Sequence, residues 1–551
     1  MPTRDWLRRG DPATMVPKLG IILVILVSVF LRAHAIGTQL VFADEIHALT
    51  ILPNHHYRYL FTHFSVNDAC IPLTVYDRLL MDTVGLNEWL MRLPSIISGV
   101  ATIVLLAAFA RHRYGPMESW LASGLLAFAP YHVYLSREAR PYPIAVFFLL
   151  VALFAVFRHD EAPNLRFSLL AAVASFLAVY FHLLALPVAG ALGLIIVWRA
   201  NRGGPRARIA AGLAWLTFAL LCALFFLPAL PSLLETMKAR AARDTQGIGT
   251  FQTGMYLFMT VVHRDWIWES ALAILGVCFL LRKRKSDGAW FALIIACQVL
   301  AVMIAKPPTS DVAWVWARYV VFALPLWTIL IAAGLAGILQ RIRGAYMPQT
   351  IALMLLAGLF IYERGLYGQG DRDYLVHPMA MARELQDQAV LASLPISPFY
   401  RRLAQEHGSG GIVEIPLVME FPLYDLEQRV HRRPLYSASF GKGSWQETFN
   451  RVDGFQFARM LSVSDLQRSS LPIEYIVVHK AIGDEIRRVY HRLTKIPATG
   501  RLLAGFESAF TPEASRNLYG ESAERREWAD QIWSSVYEDE DLVVYRFDRV
   551  R

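Results

Sequence analysis

The chain has 551 residues, is 55% hydrophobic and 18% charged, and carries a formal net charge of +9; its mean hydropathy is +0.37. Residues this apolar cannot all be covered by a water-soluble surface, so a wholly soluble protein is excluded and a membrane protein is implied. The positive charge does not imply a nucleic-acid partner, because no basic run is interleaved with aromatics on a soluble module, and of the 4 cysteines only Cys70 lies outside an apolar run, which argues against a disulfide framework and against a Cys-based zinc site.

The first element is an apolar run over residues 18–35, preceded by the basic MPTRDWLRRG. It ends in Ala33-His34-Ala35, which imitates a signal cleavage site. The run is long for the apolar core of a signal, and Arg32 adjoins the site, so it reads as a retained span. Ten further runs of spanning length follow, at 93–110, 117–135, 141–157, 167–182, 184–199, 209–231, 269–282, 288–305, 319–339 and 347–363. The fifth and sixth are joined almost without a loop. About 11 transmembrane helices are therefore expected.

The loops orient these spans. The N-terminus, Arg111-His112-Arg113, Arg158-His159, the segment from Arg199 to Arg208, Arg282-Lys283-Arg284-Lys285 and Arg341-Ile342-Arg343 are basic, and strict alternation puts all of them on one side, the cytoplasmic one. The N-terminus is then cytoplasmic and the protein sits in the plasma (inner) membrane. Residues 36–92, 136–140, 232–268, 306–318 and everything after 364 face the exterior or periplasm. A transmembrane module over 1–372 is followed by a soluble mixture over 373–551, with helix-like MAMARELQDQAVLASL and GDEIRRVYHRL and strand-like GIVEIPLV, EYIVVH and DLVVYRFD. That pattern predicts a small α/β domain on the exterior side, with Lys442 and the Arg432-Arg433 pair as ordinary surface charge.

Spans 143–157, 209–231, 288–305 and 319–339 contain no Asp, Glu, Lys or Arg. A transporter or flippase of polyprenyl-linked sugars would need a polar path there, and a non-enzymatic scaffold would leave the outer-loop acids dispensable. The outer loops instead hold the chemistry. The long first loop carries Asp44, Glu45, His47, His55, His56, His63, Asn67 and Asp68, with an amphipathic stretch YDRLLMDTVGLNEWLMR. Arg137, Glu138, Arg140 and Tyr142 follow in SREARPY, and Lys306, Asp311, Arg318 and Tyr319 come later. Acids and cations from different helices thus meet one membrane face. Moving a sugar from a lipid phosphate to an acceptor hydroxyl needs such a set: cations on the leaving phosphate and a carboxylate base across the sugar. No P-loop or G-x-G-x-x-G is present. Adjacent His55-His56 is poor ligand spacing for a protein-only metal site, so any divalent ion would be shared between a loop acid and the carrier phosphate.

In order and spacing, FLRAHAIG, FADEIHA, NDACIPLTVYD, RLPSIISGV, YLSREARPYPI and ARYVVFALP resemble the polytopic membrane glycosyltransferases of the GT-C fold, in the branch of protein O-mannosyltransferases and the lipid A aminoarabinose transferase. The resemblance covers roughly residues 20–330. It implies a multi-pass helical module that transfers a hexose or pentose, with inversion, from a polyprenyl-phosphate donor to a lipid, glycan or protein acceptor. It also implies that Asp44 is the catalytic carboxylate, with Glu45 in the same signature and Asp68 on the acceptor side. Around Asp68 one proline of the family pattern is kept, Pro72, and one is lost. Arg137, Arg140, Tyr142, Arg318 and Tyr319 fall where the family handles the carrier phosphate.

Overall fold

In a computed structural model of the chain, the described residues are 12–34, 36, 45, 52, 55–64, 70–84, 88–161, 164–241, 266–283, 286–305, 318–344, 347–368, 396–406, 408, 410–415, 430, 433, 435–436, 473–480, 526–527 and 529–547. The chain divides into two compact units, one of residues 1–36 with 57–386, the other of residues 37–56 with 387–551.

The first unit is built from helices α1 (Pro12–Ala33), α2 (Tyr57–Thr62), α3 (Ile71–Thr83), α4 (Glu88–Arg113), α5 (Pro116–Phe128), α6 (Pro130–Ser136), α7 (Tyr142–Glu161), α8 (Leu165–Phe181), α9 (Leu186–Arg202), α10 (Gly204–Phe226), α11 (Leu230–Ala241), α12 (Trp266–Lys283), α13 (Asp287–Ala305), α14 (Leu324–Leu339) and α15 (Met347–Gly368). The described residues of the eleven apolar runs are mostly helical. Among the described residues six stretches are long and apolar enough to cross a bilayer, within α4, α7, α9, α10–α11, α13 and α14, and shorter apolar helices lie in α1, α8 and α15. The chain is a multi-pass helical membrane protein.

Two expectations change in detail. The run 117–135 is not one helix, because Pro130 pushes the preceding residue out of the helical region: Ala129 sits at φ −63°, ψ 111°, and α5 ends there. YDRLLMDTVGLNEWLMR is likewise split between α3 and α4, since α3 stops at Thr83.

Three helices start in the same way. Ala185-Leu186-Pro187, Ala229-Leu230-Pro231 and Ala323-Leu324-Pro325 each follow a 3-10 turn, at Leu183–Ala185, Leu227–Ala229 and Val321–Ala323. Proline fits a first helical turn because its missing N–H would have no partner there. At the crossing of α12 and α14 the backbones touch. A Cβ on Gly276 would collide with the Leu330 carbonyl, and one on Gly334 with the Leu272 carbonyl, so only glycine fits at either position.

The bundle has two unlike ends. At the end carrying the basic segments, Arg113 donates from Nε and Nη2 to Asp287 at 2.9 and 3.1 Å, and the Tyr114 hydroxyl donates to the same carboxylate at 3.2 Å. Arg113 and Arg199 both lie over the Phe157 ring, at 4.9 and 4.5 Å. Lys283 reaches Glu118 at 3.5 Å, and Gln340 donates to it at 3.4 Å. Near the other end the loop after α2 is tied to α11: the Phe64 N–H donates to Ser232 Oγ at 2.9 Å, and its carbonyl accepts from Ser232 and Thr236 at 2.9 and 3.3 Å.

The second unit holds a mixed sheet of β1 (Gly411–Ile415), β2 (Leu435–Tyr436), β3 (Ile473–His479), β4 (Ser535–Glu538) and β5 (Leu542–Arg546) in the order β2-β1-β3-β5-β4. The β1 strand runs parallel to β2 and β3, and β5 runs antiparallel to β3 and β4. Helix α16 (Pro398–Gln405) packs Phe399, Tyr400 and Leu403 against Ile412, Val477, Leu542 and Val544. The strand-like segments at 411–418, 474–479 and 541–548 thus become β1, β3 and β5. The helix-like segments at 379–394 and 483–493 lie outside the described residues. Arg433 is not surface charge: its side chain is 4% exposed and pairs with Glu474 of β3 and with Glu406 at the C-terminal end of α16, two acids distant from it in sequence.

Candidate active site

The end of the bundle opposite the basic segments gathers its polar residues from helix termini, where backbone groups are unpaired and the chain turns. The turn 137–141 between α6 and α7 supplies Arg137, Glu138 and Arg140, and α7 opens on Tyr142. The turn between α8 and α9 supplies His182. The approach to α14 supplies Arg318, Tyr319 and Phe322.

These turns converge. Tyr142 lies 4.9 Å from the His182 ring and 6.4 Å from that of Tyr319, while His182 is 5.8 Å from Tyr319 and 5.0 Å from Phe322. The Arg318 guanidinium sits over the Tyr319 ring at 5.0 Å and donates to its hydroxyl oxygen at 3.1 Å. Tyr131 of α6 is buried beside them, its hydroxyl in the electrostatic reach of Arg318, Tyr142, Glu138 and Tyr319. The aromatic faces and one guanidinium form a wall suited to an anion with an apolar body.

Next to this wall is a layer of buried arginines. Arg32 is fully buried and donates to Ser28 O and Oγ at 3.2 and 2.7 Å, to Ala127 O at 3.3 Å and to His132 Nδ1 at 2.7 Å. Arg92, also fully buried, donates to Ile36 O at 3.0 Å. Arg137 donates to Leu31 O and His34 O, both at 2.8 Å, and so closes the C-terminus of α1. Burial, and then the charge of Arg92, lower its pKa to about 10. The Arg140 carbonyl accepts from Ser95 at 2.8 Å, which fixes the turn against α4. Cations crowded in this way favour an anion, which relieves their mutual repulsion.

Of the expected site residues, the structure brings Tyr142, Arg318 and Tyr319 together, places Arg140 in the adjoining turn and directs Arg137 to the end of α1. Glu45 is 2% exposed and belongs to the second unit. Asp44 and Asp68 lie outside the described residues. Among the described residues no group of three or more His, Cys, Asp or Glu is placed to hold a metal ion. Sequence reasoning passed over Arg32, Arg92, Tyr131 and His182. An arginine inside or beside an apolar run is a usable signal for the first two, and a histidine between two abutting runs is one for the last. Tyr131 offers no signal of its own.

Residues 76–231 match the family model described as dolichyl-phosphate-mannose-protein mannosyltransferase. A sequence comparison with curated proteins finds no match. Among solved structures, the chain is similar to ArnT from Cupriavidus metallidurans in the apo state, at 12% identity over 97% of this chain and 98% of that one, with a TM-score of 0.54. It is similar to the same protein bound to undecaprenyl phosphate, at 13% identity over 97% and 98%, with a TM-score of 0.52. It is also similar to the oligosaccharyltransferase AglB from Archaeoglobus fulgidus in complex with an inhibitory peptide and a dolichol-phosphate, at 13% identity over 95% of this chain and 73% of that one, with a TM-score of 0.50. The chain has the fold of the GT-C polytopic membrane glycosyltransferases.

Proposed function

On the premise of that fold, we propose that the chain is an integral membrane glycosyltransferase that moves a sugar from a polyprenyl-phosphate carrier to an acceptor hydroxyl on the exterior face. The observation that carries this reading is the convergence of Arg318, Tyr319, Tyr142, Tyr131 and His182 from separate helix termini at the end away from the basic segments. The match of residues 76–231 to a mannosyltransferase model supports it, as does the likeness in fold to a protein solved with undecaprenyl phosphate.

In this reading Arg318 and Arg140 hold the carrier phosphate and stabilise the charge that builds on it as the glycosidic bond breaks. The Tyr319 and Tyr142 hydroxyls add neutral donors. Asp44 accepts the proton of the acceptor hydroxyl, which attacks the anomeric carbon from the face opposite the leaving phosphate and inverts it. Glu45 and Asp68 orient the acceptor. The phosphate needs no proton to leave, so one carboxylate base and a set of cations suffice.

The test compares cell-envelope lipids, glycans and proteins by mass spectrometry in cells expressing the native chain, Asp44→Asn or Arg318→Ala. A sugar increment present with the native chain and lost with both variants, each still at normal level in the membrane, is the expected result. Near-normal transfer by Asp44→Asn overturns its assignment as base; an envelope that does not change on deleting the chain overturns the reading as a whole.

A further inference from the structure

Gln298 is an uncharged but strongly polar side chain in the middle of α13, inside a stretch long enough to span the membrane, and it is 0% exposed. A buried primary amide in that environment is costly unless both donors and the acceptor are used. Its donors are used in an unusual way. Nε2 donates to the carbonyl of Leu184 at 2.9 Å and to the carbonyl of Tyr319 at 2.7 Å. Its Oε1 is buried without a hydrogen-bond partner. The two carbonyls belong to different helix entrances, one just before α9 and one just before α14.

The first entrance has polar backbone to spare. Pro187 has no N–H to offer the Leu184 carbonyl within the 3-10 turn that opens α9. The Leu184 N–H in turn donates to His182 Nδ1 at 3.2 Å, so Leu184 is held by Gln298 on one side and holds the His182 ring on the other. That bond makes Nδ1 the acceptor and puts the proton of the neutral ring on Nε2. On the second entrance, the tethered carbonyl is that of Tyr319 itself, whose ring carries Arg318. A single amide therefore sets the separation between the His182 turn and the Arg318-Tyr319 turn, and the 5.8 Å between the His182 and Tyr319 rings is what it maintains.

We infer that Gln298 is the positioning residue of this site, a clamp that holds the histidine-bearing and arginine-bearing helix entrances at the spacing that binds the carrier phosphate. The inference rests on the proposed function above and adds to it a residue that touches no substrate. A helix core that needed only packing would use leucine at this position, since leucine has similar volume and no unpaired oxygen. The unpaired Oε1 is the cost of keeping the two donors.

The test uses the full chain in detergent, with undecaprenyl phosphate as the probe. Its affinity and the thermal unfolding temperature are measured for the native chain, Gln298→Leu, Gln298→Glu and Arg318→Ala. Gln298→Leu removes both donors, and Gln298→Glu, neutral in this setting, retains one. The expected result is a graded loss of affinity, largest for Gln298→Leu at roughly tenfold, the size of two ordinary hydrogen bonds. KM for the sugar-bearing donor should rise in the same order while kcat changes less. Native affinity in both Gln298 variants overturns the inference, even if their unfolding temperature falls, because a merely structural role lowers stability alone. If Gln298→Leu does not fold, Gln298→Glu decides. A native chain that does not bind the probe, with Arg318→Ala indistinguishable from it, overturns the site reading instead.

Discussion

Arg137 meets two demands at once. Its guanidinium closes the end of α1 through the carbonyls of Leu31 and His34, and its charge lies beside that of Arg92 in a buried layer that lowers its pKa to about 10. Arg318, by contrast, is held by an aromatic ring and a hydroxyl next to it in sequence. The two arginines looked alike as outer-loop cations, and only their partners separate them. Replacing Arg137 with alanine should therefore lower stability by about 1.5–3 kcal/mol, the range for hydrogen bonds from a charged donor, and weaken polyprenyl-phosphate binding as well. Thermal unfolding and probe affinity, measured side by side, check this. An Arg137→Ala protein of native stability with only its affinity reduced would mean that the α1 contacts contribute nothing.

At the level of elements, the sheet of the second unit buries a polar trio. Glu414 of β1 accepts from the Tyr400 hydroxyl at 3.0 and 3.1 Å and lies 2.8 Å from His479 Nε2 on the neighbouring β3. All three are within a few percent of full burial. Burial raises the Glu414 pKa from 4.5 to about 8, opposed by the Tyr400 hydrogen bond. The sign follows directly. In the folded sheet the carboxyl keeps its proton, while in the unfolded chain it releases it above its ordinary pKa. The folded state therefore binds more protons between roughly pH 4.5 and 8, and its stability falls as pH rises through that window. Hydrogen exchange in peptides from β1 and β3 should speed up from pH 5 to pH 8 beyond the intrinsic rate change, and Glu414→Gln, which cannot ionise, should remove the excess. An excess that persists in the glutamine variant assigns the effect to another group. Nothing in the periodicity of GIVEI distinguishes Glu414 from a solvent-facing residue. Only the pairing of β1 with β3, and α16 above them, encloses it.

At the scale of the whole chain, the basic segments and the polar helix entrances lie at opposite ends of the helical bundle of the first unit, and the charge bias predicts a cytoplasmic side for the first. A cysteine in place of exposed Arg202, at the basic end, should react with an impermeant maleimide only after the membrane is opened. One in place of exposed Thr83, in the segment between α1 and α4, should react in spheroplasts. The reverse pattern would invert the assignment. The multi-pass helical character of the chain and the presence of an α/β sheet towards its C-terminus were legible in the sequence because bilayer thickness and backbone hydrogen bonding act on short windows of residues. The fold-level resemblance was legible for a related reason: FADEIHA, SREARPY and ARYVVFALP keep their residue types and order along the chain. Other features depend on contacts between distant segments. Whether Arg137 caps a helix, that His182 joins Tyr142 and Tyr319, that Arg433 is enclosed, and that one buried glutamine spans Leu184 and Tyr319 are all set by pairs of residues about 20 to about 140 positions apart. The sequence by itself determined which segments enter the membrane and which residue types gather at its face. Tertiary structure alone decided which of those residues meet, because a side chain's partners are fixed by how helices pack and not by the residues next to it.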